Sequence, residues 1–201
     1  GVHRDLDRCS ADAARGAPFR ENRAAATVGR VIQLPNGSEK PLWSPDGSMI
    51  AFLLRGDLGG QFWQAQGLWL YDVEARHTQS IAHGRFFNPH LSWSLDGQWV
   101  AFERYEGDIP VVEIAGAASP APKLIAEGTA PSWSPRAHQL CFFRPGEDTE
   151  ELWRINSNGA DAAMLVELPI EGYLDAYRPT RPAAWTPSGD RIAIGADARH
   201  Y

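Results

Sequence analysis

Cysteine and long apolar runs are both scarce in this chain of 201 residues, and each scarcity removes a class of protein. Cys9 stands in a polar N-terminal stretch and Cys141 inside an apolar one, so no disulfide framework holds the fold. Cys141 reads instead as a small core residue. The longest apolar runs, such as Met49 to Leu54, fall far short of the roughly 20 residues that span a bilayer, and no transmembrane segment is expected. Gly1 to Arg8 lack the basic start and apolar stretch of a secretory signal, so the expectation is that either a signal was removed or the start lies upstream.

Catalytic motifs are missing as well. The chain has no Gly-x-Ser-x-Gly elbow, no His-Glu-x-x-His, no phosphate-binding Gly-rich loop and no Cys-x-x-Cys. Its six histidines show no metal-ligand spacing, and His83 and His90, which flank Phe86 and Phe87, read as surface or structural residues. No catalytic residue, metal or cofactor is expected. The net charge of −6, with both signs interspersed, gives no footprint for nucleic acid or for an anionic membrane.

What the chain does have is 43% apolar residues, 8 Trp, 8 Phe, 19 Gly and 15 Pro, with the Pro and Gly set between apolar runs. That is an all-β, many-turned composition with enough apolar surface for a sizeable core. Residues 1–26, rich in Ala and Arg, read as an N-terminal arm or linker, and residues 27–201 as the folded part. Val28 to Leu34 is expected to be a strand, and Pro35-Asn36-Gly37-Ser38 a turn.

The folded part is a repeat. Trp43, Trp93, Trp133 and Trp185 are each followed by Ser or Thr, and nine positions further on stand Phe52, Phe102, Phe142 and Ile194. Immediately before these come Ala51, Ala101, Cys141 and Ala193, and four residues after the Trp stand Gly47, Gly97 and Gly189, with Ala137 in the third copy. Each copy is a hairpin: a short strand ending in Trp-Ser, a turn such as Ser44-Pro45-Asp46-Gly47, then an apolar strand. Strands apolar at consecutive positions must be covered on both faces. Further strands are expected at Leu68 to Tyr71, Val111 to Ile114 and Leu152 to Ile155. Outer strands are expected at Thr78 to Ala82, Lys123 to Ala126 and Met164 to Leu168.

The Trp residues are 50, 40 and 52 positions apart, and a four-stranded sheet with its turns needs roughly 40 residues. Radially stacked four-stranded antiparallel blades, a β-propeller, bury such sheets against one another. A two-sheet sandwich would explain strands and turns but not a Trp-to-Phe register held through four copies. The stripe of Trp is therefore expected to be core. Repeats start near 41, 89, 130 and 182 and give about three full blades plus partial ones, an incomplete ring expected to be a piece of a larger propeller.

The motifs Trp43-Ser44-Pro45-Asp46-Gly47 with Ile50-Ala51-Phe52, and Trp93-Ser94-Leu95-Asp96-Gly97 with Val100-Ala101-Phe102, resemble the TolB-like β-propeller repeat. Trp133-Ser134-Pro135 and Trp185-Thr186-Pro187-Ser188-Gly189 are similar to it over fewer positions. The resemblance implies a periplasmic or otherwise extracytoplasmic scaffold that binds protein partners. Alternatively it implies the accessory propeller of a prolyl-oligopeptidase-type serine peptidase whose catalytic domain lies outside this chain. A propeller lyase acting on acidic sugars would need clustered His and basic residues, which the sequence does not show.

In an up-and-down blade the turn between strands one and two lies on the face opposite the later loops. The insertions at Arg55 to Gly67 and Leu168 to Arg181 therefore share a face with Tyr105, Glu106 and Asp108, and with Glu147, Asp148, Glu150 and Glu151. Aromatics with an acidic excess suit a protein or peptide carrying basic groups. The candidate partner-binding residues are Phe62, Trp63, Tyr105, Tyr173, Tyr177 and Arg178; the alternative is that these are solvated loops with aromatics packed onto the blades.

Overall fold

The computed structural model of the chain describes residues 31–55, 64–87, 89–146, 149–169 and 183–195. Every regular element among them is a strand, so none is a helix long and apolar enough to cross a membrane. The first blade comprises β1 (Ser38–Trp43), β2 (Met49–Leu54), β3 (Gln64–Asp72) and β4 (His77–Phe87). The second comprises β5 (Leu91–Trp93), β6 (Val100–Glu106), β7 (Ile109–Gly116) and β8 (Ser119–Glu127). The third comprises β9 (Thr129–Trp133), β10 (Gln139–Pro145), β11 (Thr149–Asn156) and β12 (Ala163–Pro169). A hairpin of β13 (Ala183–Trp185) and β14 (Ile192–Ile194) follows.

Consecutive strands within each blade pair antiparallel, and one bridge, Arg85 opposite Tyr105, joins the end of β4 to β6. The short strands β1, β5, β9 and β13 lie side by side in that order and form the inner wall of an open propeller. The expected third and fourth strands all form, and each runs longer than its apolar signal. One expectation fails: residues 31–34 are not a strand. Pro35 has no N–H to offer a ladder, and its carbonyl accepts from both the N–H and the Oγ of Ser38, at 3.2 and 2.6 Å. Chain pairing begins only after that turn.

The first, second and fourth inner hairpins close in the same way. Ser44 N–H donates to Met49 O at 2.9 Å and Gly47 N–H to Ser44 O at 3.0 Å, with Gly47 at φ 73°. Gly97 and Gly189 repeat that geometry at φ 67° and 73°. This is the left-handed backbone for which Gly is the least costly residue. Ser44 Oγ accepts the Met49 N–H at 2.9 Å and donates to Asp46 Oδ1 at 2.6 Å. In the second copy Ser94 Oγ does the same for Trp99 N–H at 3.0 Å and Asp96 at 2.5 Å. The hydroxyl of Ser44 and the hydroxyl and N–H of Ser48 hold the Asp46 carboxyl down, at about 2. The repeated serines are thus structural. Ser94→Ala leaves a Trp99 N–H without its acceptor and is expected to cost about 1–2 kcal/mol, read as a lower urea midpoint. In the copy without Asp the Ser134 hydroxyl accepts the Arg136 N–H at 3.3 Å, a longer bond, and Ser134→Ala is expected to cost less.

Packing sits in the seams between blades. Ala51, Leu53, Leu68 and Leu70 of the first blade meet Trp93, Val100 and Phe102 of the second. Ala101, Val112 and Ile114 meet Trp133, Leu140 and Phe142. Cys141, Phe143 and Leu152 meet Trp185, Ile192 and Ile194. Alternate residues of each second strand therefore face opposite seams, which is why the small residue and the Phe recur side by side. The thiol of Cys141 is wholly buried, and desolvation pushes it up to about 12. Of the Trp stripe, Trp93 and Trp133 are core at 8% and 5% exposure, but Trp43 is 51% exposed. The same motif gives a different result there because, among the described residues, no blade precedes β1 to cover it.

Candidate functional site

The two ends of the inner wall differ. At one end stand the closed Ser-Pro-Asp-Gly turns. At the other, the inner strands begin, the second strands end, and the chain passes between blades. Of the residues expected to bind a partner, only Tyr105 is described, half-buried on β6 opposite Arg85 and Pro110. Phe62, Trp63, Tyr173, Tyr177 and Arg178 lie outside the described residues, as do Glu147 and Asp148.

Part of the acidic excess is consumed internally. Arg104 holds Glu113 through two bonds, Nε to Oε2 at 2.5 Å and Nη2 to Oε1 at 2.8 Å, and reaches Glu106 Oε1 at 2.7 Å. These carboxylates raise the Arg104 guanidinium further above its ordinary value. Glu151 accepts from Trp153 Nε1 at 2.7 Å, and the Arg144 guanidinium lies 4.5 Å from the centre of that indole. Glu106 and Glu151 are therefore partnered within the fold, while Asp108 is exposed. His83 is structural, at 2.9 Å from Ser80 Oγ and edge-on to Trp69.

The same end holds an ionisable cluster that the sequence reading passed over. Lys40, His90 and Ala130 occupy one register, three residues before Trp43, Trp93 and Trp133. Lys40 and Ala130 both have φ 50°, and both sit where the inner strand shifts register against its neighbour. Lys40 Nζ crosses to the second blade and donates to Pro89 O at 2.9 Å. Ten residues after the Trp, where the neighbouring blades carry Leu53 and Phe143, the second blade carries Glu103 at 1% exposure. Its carboxyl accepts the Ala130 N–H across the seam. Desolvation pushes Glu103 up to about 7, against the opposing pull of that N–H and of Lys40. Burial lowers both Lys40 and His90, the latter helped by the Lys40 charge. The signal that could have found this cluster is the single break in the apolar register at Glu103. Among the described residues no three His, Cys, Asp or Glu side chains gather as a metal site.

An open β-propeller with four-stranded blades and an ionisable cluster at one end of its inner wall is the class of protein this geometry defines. TolB from Acinetobacter baumannii is similar in structure over 73% of this chain and 35% of its own, with 16% identity and a TM-score of 0.55. The β-propeller domain of the Trilobed protease from Pyrococcus furiosus matches 82% of this chain and 49% of its own, at 15% identity and TM-score 0.53. An acylaminoacyl peptidase matches 81% of this chain and 28% of its own, at 14% identity and TM-score 0.54. Likeness at such identities shows the fold alone, and the chain spans between 28% and 49% of these structures. No protein-family model and no curated protein matches the sequence.

Proposed function

We propose that the chain is a non-catalytic TolB-like propeller scaffold, extracytoplasmic, that captures protein or peptide partners through the end of the propeller carrying its irregular loops. The observation that supports this is the contrast between the two ends. The turn end is short, and in three of its four copies a Ser or Thr hydroxyl bonds the Asp of the turn. The opposite end combines Tyr105, exposed Asp108 and the Lys40–Glu103–His90 cluster. Irregular loops on a rigid repeat scaffold are where recognition concentrates.

Panning a displayed random-peptide library against the chain tests this. Enrichment of peptides with basic and apolar side chains is expected, together with its loss in the double variant Trp63→Ala, Tyr177→Ala at unchanged Tm. Absence of enrichment, or enrichment that the double variant retains, overturns the reading. A drop in Tm of the double variant makes both residues core and overturns their assignment.

The similarity to the Trilobed protease propeller over 82% of the chain favours a second reading, the accessory propeller of a serine peptidase. A reading frame that continues into an α/β-hydrolase domain with a Ser elbow selects it. One that carries a signal peptide and only further Trp-Ser-Pro-Asp-Gly repeats selects the scaffold.

A further inference from the structure

Glu103 is the one acidic residue of the apolar second-strand registers, and nothing in blade packing requires it. Leu53 and Phe143 fill the equivalent places in the blades on either side. Its carboxyl lies at the junction of three blades: it belongs to β6, accepts from Ala130 at the start of β9, and acts electrostatically on Lys40 of β1. Within its own sheet Glu103 stands opposite Val112 of β7, which carries no charge. From the chain before β5 comes His90, whose pKa burial and the Lys40 charge lower. Glu39 acts on Lys40 and pairs with Arg55 at 2.6 Å. The partner N–H belongs to a residue that resists its conformation. Ala130 is a non-glycine at φ 50° followed by Pro131, and such a residue persists only when its surroundings hold it.

We propose that the buried Glu103 carboxyl makes the junction between the second and third blades a pH-operated clasp, closed when Glu103 is protonated and loosened when its ionised form draws water to the seam.

The direction follows from linkage. At 1% exposure the carboxyl keeps little of the hydration its ionised form needs, so burial pushes it up to about 7 from an ordinary 4.5, and the closed junction binds the proton more tightly than an opened, solvated one. The stabilisation is complete below the ordinary value. It is lost as pH rises between the two, by up to about tenfold in the opening equilibrium per pH unit for one proton, and levels off above the higher one. Acid therefore tightens the junction. Because Tyr105 is two residues further along β6, loosening would be felt at the proposed binding end, but the clasp does not depend on that reading.

Amide hydrogen exchange of residues 129–133, corrected for the intrinsic pH dependence of exchange, tests the clasp in the whole chain. Between pH 5 and 7 the opening equilibrium of the wild type is expected to rise by more than about tenfold and then to level. Glu103→Gln keeps an oxygen for Ala130 N–H without ionising, and its corrected exchange is expected to stay flat. Lys40→Met, which removes the opposing cation, is expected to move the wild-type midpoint upward. Parallel pH courses in wild type and Glu103→Gln overturn the proposal, as does an unmoved midpoint in Lys40→Met. Because exchange reads the junction directly, this outcome is separate from whether any peptide binds.

Discussion

Replacing Trp93 by Ala is expected to remove about 3–5 kcal/mol of stability, read as a fall in the urea midpoint with the transition still cooperative. Its indole fills the seam between the first two blades, against Leu53, Leu70 and Phe102, at 8% exposure. It also donates from Nε1 to Leu42 O at 3.0 Å, a bond from one inner strand to the previous one. Trp185 repeats this bond to Ser132 O at 3.1 Å. Truncation therefore leaves a cavity and removes a hydrogen bond between inner strands, and no smaller neighbour can collapse into the gap without moving a strand. Trp93→Phe, which keeps most of the volume and loses the N–H, is expected to cost about 1–2 kcal/mol. Trp43→Ala is the control: at 51% exposure the same residue in the same motif is expected to cost under about 1 kcal/mol. Equal losses at Trp93 and Trp43 would mean that the seam does not carry the energy.

That pair also marks what was legible in the sequence. The blade was, because every copy meets the same packing demand with the same residues: Trp for the seam, Ala or Cys to admit the next Trp, Phe for the seam behind. The turns were, because Ser, Asp and Gly each answer a local backbone need that does not depend on the rest of the chain. Exposure of Trp43 was not, since identical motifs become core or surface according to whether a neighbouring blade is present. Nor was the pairing of Glu106 and Glu151. A count of acidic residues treats them as available, whereas strand register sets Glu106 beside Arg104 and Glu151 beside Trp153. Glu103 stood in plain view as an acid inside an apolar register. What it bonds belongs to another blade, and that partner emerges only when the seam is assembled. The binding residues named from the loops rest on topology, and of them the described residues include Tyr105 alone.

The junction that Glu103 closes also sets the second large effect, at Gly128. This residue enters β9 from β8 at φ 149°, and its N–H donates to Pro110 O at 2.9 Å. A Cβ added there would lie 2.5 Å from Phe143 O and 2.6 Å from the Phe142 ring. Neither can retreat, because Phe142 and Phe143 are wholly buried in two different seams. Gly128→Ala thus combines a backbone conformation that side chains avoid with overpacking of the core, and is expected to cost about 4 kcal/mol or to prevent folding. Gly84 separates the two contributions. It has nearly the same φ, 148°, but its added Cβ would meet only Arg104 Cδ at 3.5 Å, an ordinary contact with a flexible side chain. Gly84→Ala is expected to cost about 1–2 kcal/mol, the conformational part alone. Comparable losses at the two sites would show that φ dominates and that Phe142 and Phe143 have room to yield. A loss at Gly128 at least twice that at Gly84 places the cost in the rigid overlap of the second and third blades, the same rigidity that the Glu103 clasp requires if a single proton is to be felt across the seam.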